Sequence, residues 1–186
     1  MAKRDEMSEQ ALRQIEPNPT SATWSRKRNP LKKRKHSSTR FRHTLSFDAD
    51  ISEAAANKID VRACVIVVEC SGKFLFGYNK YRRNWEIPGG KREGNETLLE
   101  CAKRELWEES GQVVSEAFFS GLVTMHVRDF GIATAGVYFA KLDCIKAANL
   151  TNEWTALNLW KLTELKGNVD SVGRDVVVHV TAHKPD

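Results

Sequence analysis

Gly90-Lys91-Arg92-Glu93-Gly94-Asn95-Glu96, followed by Arg104-Glu105-Leu106-Trp107-Glu108-Glu109-Ser110-Gly111, is the stretch on which the reading of this 186-residue chain turns. Leu98, Leu99, Ala102 and Leu106 recur at helical spacing, so residues 97–110 read as a helix. Gly111 stands where a left-handed C-terminal cap is wanted. On that helix Glu105, Glu108 and Glu109 fall at i, i+3 and i+4 and share one face. An ordinary solvated face would interleave lysines among such carboxylates. Divalent cations relieve their repulsion, and hard magnesium ions take oxygen ligands and bridge carboxylates to substrate phosphates. Arg104 is spaced to pair with Glu108 or Glu100 and hold a carboxylate in place. Gly89-Gly90 lets the backbone bend tightly and bring a carbonyl near the metal.

Working outward, residues 61–69 are almost continuously apolar and β-branched, which suits a strand buried on both faces. Ser71-Gly72 is a turn signal, and Phe74, Phe76 and Tyr78 alternate with Leu75 and Gly77, predicting a hairpin. Trp85-Glu86-Ile87 reads as short and extended, and Pro88-Gly89-Gly90 as a loop. Beyond the helix, strands are expected over roughly 121–128 and 132–142, joined through Asp129-Phe130-Gly131, with a short strand at 157–160. Residues 169–180 are open between a strand, from their β-branched content, and a closing helix. The mix predicts an α/β domain with a mixed sheet and no internal repeat.

The full spacing is Gly, five residues, Glu, seven residues, Arg-Glu, an aliphatic, any residue, Glu-Glu, any residue, Gly. A given window would match it by chance roughly once in 10⁸. It resembles the Nudix box of the Nudix hydrolases, and the resemblance extends over most of residues 60–165, including Trp160-Lys161-Leu162-Thr163-Glu164-Leu165. The resemblance implies an α/β/α sandwich, with the box forming loop, helix and loop over a mixed sheet. It implies magnesium, with manganese able to substitute, and water attack on a diphosphate phosphorus. Carried over residue by residue, Glu108 and Glu109 are the main metal ligands, Glu105 is a ligand or the catalytic base, and the Gly90 carbonyl completes the shell. Glu96 and Arg104 orient the helix through salt bridges, and Gly111 closes the box. A glutamate from outside the box often assists in this family; Glu153 is the candidate, with an exposed loop acid as the competing reading. Glu164 is expected to cap or face solvent. The box departs from the family pattern at Gln112, where an aliphatic residue is usual; Val113 is expected to substitute in packing.

Trp85-Glu86-Ile87-Pro88-Gly89-Gly90-Lys91 is similar to the segment of MutT-like members, which cleave nucleoside triphosphates, canonical or oxidised, to monophosphate plus pyrophosphate. Gly89, Gly90 and Lys91 are thereby candidate substrate-binding residues. Trp85 is a further candidate for stacking on a base, although packing is the commoner role for such a residue. ADP-ribose pyrophosphatases usually carry alanine in place of Gly89 and a proline some fifteen residues after the box, and neither occurs here.

Charge is unevenly spread. Residues 1–43 hold 12 Lys+Arg and 4 Asp+Glu, a net of +8, while the remainder carries a net of −3. With three of the five prolines and little apolar periodicity, residues 1–43 read as a disordered basic tail, and residues 44–186 as the folded domain. The tail motivates a second reading, action on the 5′ end of RNA or a cap, because lysine and arginine bind phosphates without sequence preference. Its aromatic interleaving is thin, with Trp24 and Phe41 alone. A solubilising tail or one that binds another polyanion is the alternative. A non-catalytic nucleotide sensor would be expected to lose box glutamates, and all are present. No secretory signal, transit peptide or membrane span is legible, so a cytoplasmic protein is expected, or a nuclear one if Lys32-Lys33-Arg34-Lys35 is an import signal in a eukaryote. Cys64, Cys70, Cys101 and Cys144 form no CxxC pair and are expected to pack as small, reduced hydrophobes.

Overall fold

A computed structural model describes residues 42–147, 150, 153–165 and 167–183. In chain order these residues form β1 (Arg42–Asp48), α1 (Glu53–Ala56), β2 (Ala63–Cys70), β3 (Lys73–Asn79), β4 (Asn84–Glu86), β5 (Gly89–Lys91), α2 (Leu98–Ser110), β6 (Phe118–Val127), β7 (Gly131–Lys141), β8 (Trp154–Trp160) and α3 (Ser171–His183). A turn of 3-10 helix, Leu162–Glu164, follows β8, and Glu164 is exposed in it.

β2 is the organising strand because it is apolar on both faces. Cys64, Ile66 and Val68 alternate with Val65 and Val67, so the first set packs on one side of the sheet and the second on the other. Leu98, Cys101, Ala102 and Leu106 of α2 cover the first side, together with Tyr138 and Ala140 of β7. Val172, Val176, Val177 and Val180 of α3 cover the second, together with Val123, Met125, Val137 and Phe139. The result is an α/β/α sandwich over a mixed sheet.

The sheet runs β1-β6-β7-β2, with β2 and β7 parallel and the other pairs antiparallel. Beyond β2 it divides. Ser71 and Gly72 both turn through positive φ, and the hairpin they close pairs only Glu69 with Phe74 and Cys70 with Lys73. The strands then part: Ala63, Cys64 and Val65 pair with β5, while β3 pairs with β4 and β8. Ile87-Pro88 carries the chain across the division, from β4 to β5. The loop expected at Pro88-Gly89-Gly90 is therefore in part a strand, since Gly89 and Gly90 complete the free edge of β2.

Several further expectations are corrected. Arg42 and His43 belong to β1 rather than to the tail; the rest of the proposed tail lies outside the described residues. Of the two readings left open for 169–180, the helix holds from Ser171 onward, because Asp170 caps its start, its Oδ2 accepting the Gly173 N–H at 2.9 Å, and its apolar residues fall at helical spacing, while Val169 forms an isolated bridge with Trp85. Val113 does not substitute for the missing aliphatic: it is 67% exposed, and Val114 is buried instead. Gln112 is itself buried and satisfied, its amide exchanging 2.9 Å hydrogen bonds with the Lys146 backbone. All four cysteines are free thiols; Cys64, Cys70 and Cys101 are buried, but Cys144 is exposed. No helix among the described residues is long and apolar enough to cross a membrane.

Candidate active site

Where the sheet divides, α2 lays its acidic face against β5. Thr97 and Glu100 start the helix with a reciprocal capping box, so Glu100 is engaged there rather than with Arg104. Gly111 stops it at φ 70°. This fixes which residues face β5, the strand carrying Gly89, Gly90 and Lys91.

Arg104 is buried beneath the acidic face and gathers it together. Its Nε and Nη2 bond both oxygens of Glu96 at 2.5 and 3.1 Å, and its Nη1 bonds Glu105 at 2.9 Å and Glu108 at 3.2 Å. Nη2 also donates to the Lys91 carbonyl at 2.8 Å, tying helix to strand. Burial alone would lower the Arg104 pKa, but the carboxylates of Glu96 and Glu105 raise it further, so its charge is fixed. Burial likewise works against the Glu96 carboxylate, yet Arg104 and the Glu93 N–H hold it below the ordinary range.

The three glutamates meet different surroundings. Glu105 is buried against Gly90, where an added Cβ would stand 2.2 Å from its Oε1. Glu108 is the exposed member, its side chain 41% accessible. Glu109 accepts the Gly89 N–H at 3.0 Å. The residue is half-buried, with its carboxylate against the β5 backbone. Burial, and then the charge of Glu105, push its pKa well above the ordinary carboxylate range, with Glu86 and Glu153 adding to the rise.

Those last two carboxylates come from β4 and from the residue before β8, on the other side of the division of the sheet. Asn79, fully buried at the end of β3, donates from one Nδ2 to Glu86 at 3.2 Å and to Glu153 at 3.3 Å. Arg82 donates to Glu86 at 2.6 Å. Sequence reading missed Glu86, Asn79 and Arg82; the one available signal was an acidic residue within an otherwise apolar strand, Trp85-Glu86-Ile87. Trp85 faces away from this cluster, into a packing group with Tyr78 and Trp160 at ring distances of 5.3 and 4.7 Å. Lys91 is exposed, and its backbone rather than its ammonium meets Arg104.

The donor set fits a hard divalent cation. It is made of oxygen alone, it concentrates like charges that a cation would relieve, and Gly90 leaves no Cβ between backbone and Glu105. Among the described residues, no three acidic, histidine or cysteine side chains are already closed around one point.

The chain matches the NUDIX domain family over residues 58–166. Over 51 residues it is 47% identical to the phosphatase NudJ of Escherichia coli strain K12, a stretch that covers 26% of this chain and 32% of that protein. The chain thus spans about a third of the length of the curated relatives it matches. Its structure is similar to that of the Bacillus subtilis pyrophosphohydrolase BsRppH, with a TM-score of 0.58 at 21% identity over 74% of this chain and 86% of the other. A MutT Nudix hydrolase from Burkholderia pseudomallei gives a TM-score of 0.58 at 22% identity over 66% and 99%. At these identities the structural likeness is one of fold.

Proposed function

This chain belongs to the Nudix family, and from that premise we propose that it hydrolyses a diphosphate bond in a nucleoside diphosphate derivative, taking a nucleoside triphosphate to monophosphate and pyrophosphate. The observation that carries this reading is the gathering of Glu105, Glu108 and Glu96 on Arg104 beside Gly90, with the half-buried Glu109 next to them.

Glu105, Glu108 and Glu109, with the Gly90 carbonyl, are the residues to hold magnesium or, in substitution, manganese. Bound there, the metal would neutralise phosphate charge and lower the pKa of a water ligand. The protein supplies position. Arg104 fixes Glu105 relative to β5, and Gly89 fixes Glu109, so the carboxylates need little reorganisation when substrate arrives. Glu105 serves as ligand or as the base. Glu153, held with Glu86 on Asn79, assists as the acid from outside the box.

The test is a hydrolysis panel of canonical and 8-oxo nucleoside triphosphates, ADP-ribose, dinucleoside polyphosphates and 5′-triphosphorylated RNA, with magnesium and with EDTA. Glu108→Gln and Glu109→Gln are each expected to lower turnover by about a hundredfold or more while the fold is retained. Near-normal turnover in both variants sinks the metal assignment. Preference for triphosphorylated RNA would favour the second reading, whose support is the net charge of +8 in residues 1–43.

A further inference from the structure

The turn from β3 to β4, Lys80-Tyr81-Arg82-Arg83, brings three cations and an exposed aromatic ring beside Glu86 and Glu153, on a body whose net charge is negative. We propose that this turn is a phosphate-binding subsite, in which the Arg82 guanidinium takes oxygens of the polyphosphate chain beside the phosphorus held over α2. The subsite rests on the reading that the substrate is a nucleoside polyphosphate.

The turn is built to hold Arg82 in place. The buried Asn79 Oδ1 accepts the N–H groups of Tyr81 and Arg82, each at 3.0 Å, and the Asn79 carbonyl accepts that of Arg83 at 2.7 Å. Arg83 takes φ 54°, and the Lys80 N–H donates to the Glu153 carbonyl at 3.0 Å, which moors the turn to the start of β8. Asn79 therefore fixes with its oxygen the turn that carries Arg82, and with its nitrogen the two carboxylates the turn faces.

Within this frame Arg82 uses one part of its donor set. Nη1 bonds Glu86, while Nε and Nη2 have no protein partner among the described residues, and the side chain is 32% exposed. A guanidinium docked by one nitrogen on a buried carboxylate presents its remaining N–H groups in a fixed fork, and that geometry suits phosphate oxygens. Arg82 is joined to Glu86, and Asn79 joins Glu86 to Glu153, so the cation stands beside both carboxylates; burial would lower its pKa, but Glu86, and then the charges of Glu153 and Glu109, raise it. A role confined to neutralising Glu86 would not account for the surroundings. Lys80 and Arg83 are exposed on either side, and the Lys80 ammonium lies 5.0 Å from the Tyr81 ring, which is itself 43% exposed.

The experiment uses the full chain, a non-hydrolysable α,β-methylene nucleoside triphosphate as the binding probe with magnesium, and steady-state kinetics on free triphosphates and on 5′-triphosphorylated RNA. Arg82→Gln is expected to raise Kd for the probe and KM for substrate by about tenfold to a hundredfold, with a smaller effect on kcat, and Arg82→Lys to recover part of the loss. Should Arg82→Gln fail to fold because Glu86 loses its counter-charge, Arg82→Gln/Glu86→Gln, in which two amides face each other, is compared with Glu86→Gln alone. A loss with both substrates, or with whichever of the two the wild type cleaves, supports the subsite. Unchanged Kd and KM in folded variants, with the wild type active, overturn the subsite and leave the function standing. A wild type that neither binds nor cleaves any of these compounds overturns both.

Discussion

At the scale of single residues, the site depends on what is absent as much as on what is present. Gly90 has no side chain, and the Glu105 carboxylate occupies the space one would fill. Gly90→Ala is therefore expected to displace Glu105 and lower kcat by about a hundredfold, because misplacing a reacting group by an ångström has that order of effect. Turnover assays on a variant whose circular dichroism is unchanged check this, and a rate within a few-fold of wild type would mean Glu105 is free to move without loss. Arg104 is the complementary case, since its planar fork engages Glu96, Glu105 and Glu108 at once. The three glutamates of α2 were legible in the sequence because helical spacing alone puts them on one face. Their unequal environments were not: Glu109 is half-buried and Glu108 exposed because β5 approaches the helix from one side, and no local pattern records that approach.

At the scale of elements, α2 could be read from end to end, since Thr97, Glu100 and Gly111 are local signals satisfied within the helix itself. α3 could not, because its valines suit a strand and only their burial against the sheet makes helical spacing favourable. Asp170 carries the local part of the decision. It caps Gly173 and bonds Arg42 of β1 at 3.2 and 3.0 Å. Asp170→Ala is expected to cost about 1–3 kcal/mol through the lost cap and the lost Asp170 partner of Arg42, which keeps only its longer 3.7 Å pair with Glu86, and Asp170→Asn, which keeps the cap, a smaller part of that. Denaturant unfolding of the two variants measures the difference; equal losses would assign the whole effect to the ion pair. β5 illustrates the opposite failure. Its glycines read as a loop, yet they pair with β2 because an exposed strand edge supplies hydrogen bonds that no property of the glycines themselves announces.

At the scale of the whole molecule, charge is unevenly distributed along the chain. The basic excess lies in residues 1–43, while the carboxylates of α2 and β4 are relieved locally by Arg104 and Arg82. Removing residues 1–41 is expected to spare hydrolysis of a free nucleoside triphosphate and to weaken binding of RNA most at low salt. The cut belongs before Arg42, which pairs with Asp170. Activity assays and RNA titrations at two salt concentrations check both halves, and a large loss of nucleotide turnover would place the N-terminal residues in the site. The helix α2, its caps, the shared face of Glu105, Glu108 and Glu109, the apolar strand beneath them and hence the family are legible in the chain alone, because each depends on residues close together. That β2 and β3 part after a two-pair hairpin, and that Asn79, Glu86 and Glu153 meet on the far side of that division, emerges only in the folded chain. Those contacts join residues up to 74 positions apart, and their geometry follows from the pairing and twist of whole strands rather than from any local preference.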